Sequence, residues 1–523
     1  MVAATAGGCA VLAFPPFGLA PALLIALAVL YGLLAGRDPG QGFLLGWGFG
    51  IGFLGCGIFW IRISLNEFGN MGVWLAYGLT LLFILAMALY YGFLGALTAG
   101  LSVPKGFPPM KGDGRQAGIE SPSPAGLQSS FGSVTPPWFS PLLAFPALWV
   151  LIEWWRGWFL TGFPWLNAGD SQIDGPLAGF VPLTGVYGVS LLVVFCAGLL
   201  WGLVHWRGAG RWVAALALVC LWMGGYGLGR LEWTQAGAAP IQAAVLQANI
   251  PQSLKWNEES LFPTLRAYVE LTREAFAQGA EVIVWPETAI PEFLDRVRQP
   301  LLEPLSAEAR EQGAQLVMGL PVLDHERQTY YNGLISIGEG EDLYKKRHLV
   351  PFGEFMPWRP LLGPLARAFE VPMSDFSAGE AARPLLQVGP HHAGVSICYE
   401  DAFSTEVMQA LPEAAYLVNV SNDAWFGDSL APHQHLGIAR VRALEAGRWL
   451  LRATNTGISA IIDHRGRVRG SVPAFQRGLY SAAIQPRTGT TPFVQVGNGL
   501  ALGLALVMLS LSLLLGLRPA HQP

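Results

Sequence analysis

The sequence predicts a multi-span α-helical membrane bundle that carries one layered α/β domain outside the cytoplasm. Three observations lead there. Charge is scarce, at 13% of 523 residues, against about 25% in soluble domains. It is also segregated: residues 1–240 hold 17 charged side chains, 241–495 hold 50 and 496–523 hold one. Apolar runs near the roughly 20 residues that a spanning helix requires fill the first and last of these segments but not the middle one. The expected domains are therefore a helical bundle at 1–240, an α/β domain at 241–495, and a closing transmembrane helix with a short tail at 496–523. With 36 acidic against 32 basic residues the chain carries net −4, which excludes a basic nucleic-acid binder.

The expected spans are Leu19–Gly36, Phe43–Ile61, Val73–Leu101, Leu142–Leu160, Phe180–Trp206, Trp212–Leu228 and Val496–Leu517. Val2–Phe14 is too short for a comfortable span at about 1.5 Å per residue, and a helix beginning upstream of this start would complete it. No basic n-region is present, so a cleaved signal peptide is not expected. Arg37, then Lys105, Lys111 and Arg115, then Arg207 and Arg211, and finally Arg518 share one side, while Glu67, Asp170 and Asp174 share the other with Arg62 as the basic exception. The positive-inside rule puts the first set in the cytoplasm. The domain that follows Leu228 then faces out.

Residues 102–140, rich in Pro, Gly and Ser, read as a flexible cytoplasmic loop. Trp149, Trp154, Trp155, Trp158 and Trp165 read as an interfacial aromatic belt. Glu153 and Arg156 either neutralise one another as an i,i+3 pair or mark a functional position within a span. The glycines of Gly42–Gly57 indicate close helix packing. A transporter would show internal repeats or paired broken helices, and the sequence holds no such repeat. Four of the five cysteines, Cys9, Cys56, Cys196 and Cys220, lie in apolar runs as small packing residues. Only Cys398 lies in the α/β domain, and no zinc spacing occurs.

From Ile241 the pattern changes to short strands alternating with amphipathic helices. Strands are expected at IQAAVLQANI, EVIVW, AQLVMGL, YNGLISIG, HAGVSIC and AAYLVNV, helices at Glu258–Gln278 and His433–Arg452, and a hairpin around Arg465-Gly466. Three polar residues stand at strand ends. Glu287 follows the strand ending at Trp285; alone, it reads as an acid at a helix N-terminus. The run Tyr344–Glu354 carries Lys345, Lys346, Arg347 and His348; a solvated basic face is the usual meaning of such a run, but the adjoining LVPFGEFMPW is apolar and Pro-rich. Cys398 leaves the strand HAGVSIC, where a lone thiol is ordinarily core.

Together the three resemble the nitrilase superfamily, whose Glu, Lys and Cys occur in that chain order. Ser253–Trp256 (SLKW), His348–Pro357 (HLVPFGEFMP), Ile397–Asp401 (ICYED), Ser421–Ser429 (SNDAWFGDS) and Thr161–Leu177 (TGFPWLNAGDSQIDGPL) sharpen it to that superfamily's membrane-embedded members, the apolipoprotein N-acyltransferases. The resemblance implies an α-β-β-α sandwich, with Cys398 as nucleophile, Glu287 as general base and Lys346 as electrostatic partner. It implies supporting places for Glu354, Tyr399 and Glu400, and lipid-entrance loops bearing Trp256 and Trp425. It further implies a phospholipid acyl donor, a diacylated apolipoprotein acceptor, no metal or dissociable cofactor, and a multi-pass place in the bacterial inner membrane with the catalytic domain facing the periplasm. A membrane-tethered carbon–nitrogen hydrolase using the same triad is the rival reading.

Overall fold

The computed structural model describes residues 1–69, 71–102, 140–237, 239–358, 360, 363, 375–380 and 382–516. The loop expected at 102–140 lies outside the described residues apart from Ser102 and Ser140, whose hydroxyls hydrogen-bond at 2.6 Å.

The apolar runs of the N-terminal half fold as α1 (Val2–Ala10), α2 (Ala20–Leu34), α3 (Pro39–Gly57), α4 (Val73–Ser102), α5 (Phe145–Arg156), α6 (Val181–His205) and α7 (Ala209–Leu228). Among the described residues three helices are long and apolar enough to cross a membrane, namely α4, α6 with the preceding turn from Pro176, and α7. A fourth crossing is made if α3 and Ile61–Phe68, bent by 59°, count as one. Close packing explains the glycines. A Cβ on Gly46 would lie 2.0 Å from the carbonyl of Tyr91, and one on Gly52 would lie 1.9 Å from that of Ala4. Only a missing side chain lets α3 approach α4 and α1 so closely.

Three readings of this half are corrected. Leu142–Leu160 is not one continuous span, because α5 ends at Arg156 and Leu160, Thr161 and Gly162 all adopt positive φ. The tryptophans are not all interfacial: Trp158 is 52% exposed, but Trp149 and Trp165 are buried. Nor do Glu153 and Arg156 form an ion pair with each other. Glu153 Oε1 accepts from Trp149 Nε1 at 2.8 Å and from the Ala168 amide at 2.7 Å. Arg156 donates to the Trp165 carbonyl at 2.6 Å and to Asn167 Oδ1 at 3.1 Å. Both charges hold the segment after α5 in place.

The α/β domain comprises β1 (Ile241–Gln247), α8 (Glu258–Ala277), β2 (Val282–Val284), α9 (Glu303–Glu311), β3 (Gln315–Asp324), β4 (Thr329–Ile337), β5 (Asp342–Lys345), β6 (Leu385–Val388), β7 (His391–Ile397), β8 (Tyr416–Ser421), α10 (Ala431–Ala446), β9 (Leu450–Thr454), β10 (Ser459–Ile462), β11 (Val468–Val472) and β12 (Gly478–Ile484). Helix α11 (Gly499–Gly516) follows. One six-stranded sheet runs β12-β1-β2-β3-β4-β5 and the other runs β11-β10-β9-β8-β7-β6.

The period-2 alternation of a strand decides the layering. Ala243 and Val245 of β1 point into a core between the sheets with Val284, Val317, Val395, Val418 and Leu451. Ala244 and Leu246 point the other way, onto Tyr268, Leu271 and Ala275 of α8 and Leu305 of α9. On the far side Leu417, Leu450 and Ala460 meet Ala439, Ala443 and Ala446 of α10. The result is a sandwich of two sheets covered by helices, joined to a helical membrane region.

The helix expected over His433–Arg452 stops at Ala446. Gly447 takes φ +61° as a left-handed cap, and the chain re-enters the sheet as β9, pairing in parallel with β8. Gly supplies that conformation without steric cost. The sequence Leu-Leu-Arg-Ala-Thr continues an apolar pattern that a helix would also satisfy, so periodicity alone does not find the boundary.

Candidate active site

Three strand ends converge. Glu287 lies just beyond β2, and its turn lies so close to β3 that a Cβ on Gly319 would be 2.5 Å from the Pro286 carbonyl and from the Thr288 amide. Lys346 follows β5, its amide bonding the Asn332 carbonyl of β4 at 2.8 Å. Alternation sends its neighbour elsewhere: the Lys345 ammonium stands 4.1 Å over the Tyr331 ring. Cys398 follows β7 directly and opens the turn Cys398–Ala402 at φ +53°, a conformation L-residues seldom hold.

Lys346 is 1% exposed and lies 2.8 Å from Glu354 Oε2 and 3.8 Å from Glu287 Oε1. Asn332 ties the two carboxylates together, donating to Glu287 Oε1 at 2.7 Å and to Glu354 Oε1 at 3.2 Å. The Asn422 amide donates to Glu287 Oε2 at 3.0 Å. Burial works against the Lys346 charge, but Glu354 and Glu287 outweigh it and hold the ammonium well above the usual lysine range. Burial pushes the Cys398 thiol well up and Glu287 adds to the rise, with Lys346 pulling the other way. The resting thiol is therefore neutral, and its proton must leave to a base as it reacts.

The supporting residues fall into separate roles. Glu354 sits in the turn Val350–Phe355, its Oε2 accepting from the Val350 amide at 2.8 Å, and so presents its carboxylate to Lys346. Glu400 is 3% exposed and does not touch Lys346 Nζ. It accepts from the amides of Ile397 at 2.8 Å and Arg347 at 2.7 Å and from Tyr344 Oη at 2.9 Å, clamping the cysteine turn to the lysine strand. Tyr399 Oη donates to the Gly162 carbonyl at 3.0 Å, which bonds the residue after Cys398 to the membrane region. Trp425 is 40% exposed and its carbonyl accepts from Ser64 Oγ at 2.6 Å, with Phe68 edge-on to its ring. Trp256 is 58% exposed.

Sequence reasoning missed four features. Asn332 is one; its only signal is an amide within the apolar strand YNGLISI. Lys255, at the end of the helix Gln252–Lys255, is 4% exposed and donates to the Glu287 carbonyl at 3.2 Å. Gln252 Oε1 accepts from Asn422 Nδ2 at 2.6 Å, fixing that helix to the site. The fourth is a buried charge cluster. His435 of α10 bridges Asp423 and Asp401, each at 2.9 Å, and Arg452 of β9 donates to Asp423 at 2.9 Å and to Asn419.

A buried acid and lysine with a partly exposed cysteine, on the strand ends of a covered double sheet, define a carbon–nitrogen hydrolase-type domain, and residues 242–493 match the family model described as carbon-nitrogen hydrolase. Residues 6–199 match a second model, described as the apolipoprotein N-acyltransferase N-terminal domain. The chain belongs to the apolipoprotein N-acyltransferase family. It is similar to the apolipoprotein N-acyltransferase of Methylococcus capsulatus, 40% identical with 96% of this chain and 94% of that one covered. It is also similar to the enzyme of that name from Nitrosomonas europaea, 40% identical over 99% of this chain and 98% of that one. Among solved structures, Saccharomyces cerevisiae Nit3 of the nitrilase superfamily overlays with TM-score 0.37 at 20% identity, covering 48% of this chain and 93% of that chain.

Proposed function

We propose that this chain moves an acyl chain from a membrane phospholipid to the N-terminal α-amine of an S-diacylglyceryl-cysteine apolipoprotein, through a thioester on Cys398, as the last step of bacterial lipoprotein maturation. The observation that carries the reading is the convergence of Glu287, Lys346 and Cys398 on a domain whose nucleophile turn is bonded to the membrane region through Tyr399 and Gly162. Membership of a family whose relatives bear the acyltransferase name supports the reaction class.

In the first half-reaction Glu287 takes the thiol proton as sulfur attacks the ester carbonyl. The oxyanion that forms is stabilised by the Lys346 ammonium and the Tyr399 amide. Its collapse expels the lysophospholipid alkoxide, which receives the proton from Glu287, and leaves a thioester. In the second, the incoming amine attacks the thioester and loses a proton to Glu287. The departing thiolate then takes that proton back, restoring Cys398 and releasing the amide. An α-amine, with pKa near about 7.8 against about 10.4 for lysine, is far more often neutral and nucleophilic, so part of the preference for the N-terminus is intrinsic to the acceptor.

The compartment follows from the loop charges. We place the protein in the inner membrane with the α/β domain facing the periplasm, where lipid donor and lipoprotein acceptor are both at hand. Product analysis with phospholipid and a diacylated lipopeptide tests the reaction. Triacylated peptide with little free fatty acid is expected; free acid as the main product would make the chain a hydrolase instead.

A further inference from the structure

The lysine–carboxylate cluster is short of positive charge. One ammonium, Lys346, faces two carboxylates, Glu287 and Glu354, and the reaction moves a negative charge off Glu287, as it takes the thiol proton, onto sulfur and then onto the carbonyl oxygen. Asn332 brings hydrogen bonds but no charge. Lys255 is the other lysine buried at the site. Its ammonium donates to the backbone carbonyl of Glu287 at 3.2 Å, and among the described residues no carboxylate pairs with it within 4 Å. Burying an ammonium without a counter-ion is costly. The helix that carries Lys255 is held to the site at its other end by Gln252 and Asn422, so the ammonium is fixed there rather than swung in from solvent. Trp256, the next residue, turns outward and is 58% exposed.

We propose that Lys255 is a positioning residue for the reaction, the second cation of the site, which balances the negative charge that develops at Cys398. The inference rests on Cys398 being the nucleophile. The titratable groups that act on the Lys255 ammonium are Glu287, whose backbone carbonyl it bonds, and Cys398 once its thiol ionises. Burial lowers its pKa to about 8, with Glu287 and Cys398 opposing the fall. It is cationic at neutral pH and loses that charge in mildly alkaline solution, so its influence on the thiol has a pH signature that a packing role would lack.

The test is iodoacetamide alkylation of Cys398 in the solubilised full-length protein, mapped by peptide mass spectrometry, for wild type and for Lys255→Met, Lys255→Gln and Lys255→Arg. Glutamine retains a donor for the Glu287 carbonyl and removes only the charge. At neutral pH the Met and Gln variants should alkylate about tenfold more slowly, equivalent to about one unit in thiol pKa. Their phospholipid-dependent acylation should slow by a similar factor. The ratio of wild-type to Gln rates should shrink as pH rises past about 8, and Arg should stay within a few-fold of wild type. Equal alkylation of Gln and wild type at neutral pH would overturn the proposal, because the anchoring bond alone would then suffice, and so would a ratio independent of pH. A wild-type acyl adduct mapped away from Cys398 would instead overturn the nucleophile assignment beneath it.

Discussion

At the residue scale, the site depends on which of two adjacent lysines faces inward. Lys346 is 1% exposed among carboxylates, whereas Lys345 lies over Tyr331 on the other face of the strand. Replacing Lys346 by Arg keeps the charge but puts a wide planar fork where a compact ammonium sits between Glu354 and Glu287. We expect Lys346→Arg to lose roughly 100-fold or more in acyl transfer while folding normally, and Lys345→Ala to stay within a few-fold of wild type. Activity measured on purified protein decides; an inactive Lys345→Ala beside an active Lys346→Arg would shift the register by one. The grouping of the acid, lysine and cysteine was legible only through the family resemblance of their motifs, since each alone reads as a helix-end acid, a solvated basic run or a core thiol. Asn332 and Lys255 were not, because a single polar residue acquires meaning only when folding sets it against Glu287.

At the element scale, α10 is a helix wrapped around a buried charge. His435 stands between Asp401 and Asp423, with Arg452 on the same carboxylates. Burial and Arg452 oppose its protonation, yet the two carboxylates raise its pKa to about 9 from 6.5. The folded state therefore binds this proton more tightly than the unfolded chain does. The resulting stability is fully present below about pH 6.5 and is lost as pH rises through about 9, a loss on the order of a few kcal/mol. The apparent unfolding temperature of solubilised wild type should fall across that window more steeply than that of His435→Gln. Parallel slopes would show that His435 is not the titrating group. Element identity was legible where periodicity was strong, as in β1, β3 and α8. It failed at the end of α10, where a left-handed glycine stops the helix inside a continuing apolar run, and in α5, where left-handed residues cut an expected span short.

For the whole molecule, the two halves meet through a polar seam close to the candidate site. Gln434 of α10 accepts from Trp165 at 2.7 Å and from Trp60 at 3.2 Å and donates to the Gly57 carbonyl at 3.0 Å. Glu445 accepts from the Val186 amide of α6 at 2.9 Å and from Ser404 Oγ at 2.6 Å. The division into membrane and α/β parts was legible in charge alone, but this seam was not, since it joins residues hundreds of positions apart. Sidedness is the corresponding prediction. A reporter that works only in the periplasm should be active when fused after Leu228 and silent when fused within 103–139. A silent Leu228 fusion beside an active one within 103–139 would contradict the positive-inside reading and, with it, the periplasmic placement of the α/β domain.

The central claim is that Cys398 carries the acyl chain between donor and acceptor, and intact-mass analysis of the purified protein with phospholipid alone tests it most directly. Wild type should gain the mass of one acyl chain, removable by neutral hydroxylamine as a thioester is, and adding a diacylated lipopeptide should clear it. Cys398→Ala should gain nothing. An adduct of the same mass on Cys398→Ala, or normal turnover by that variant, would mean that Cys398 merely fills the end of its strand.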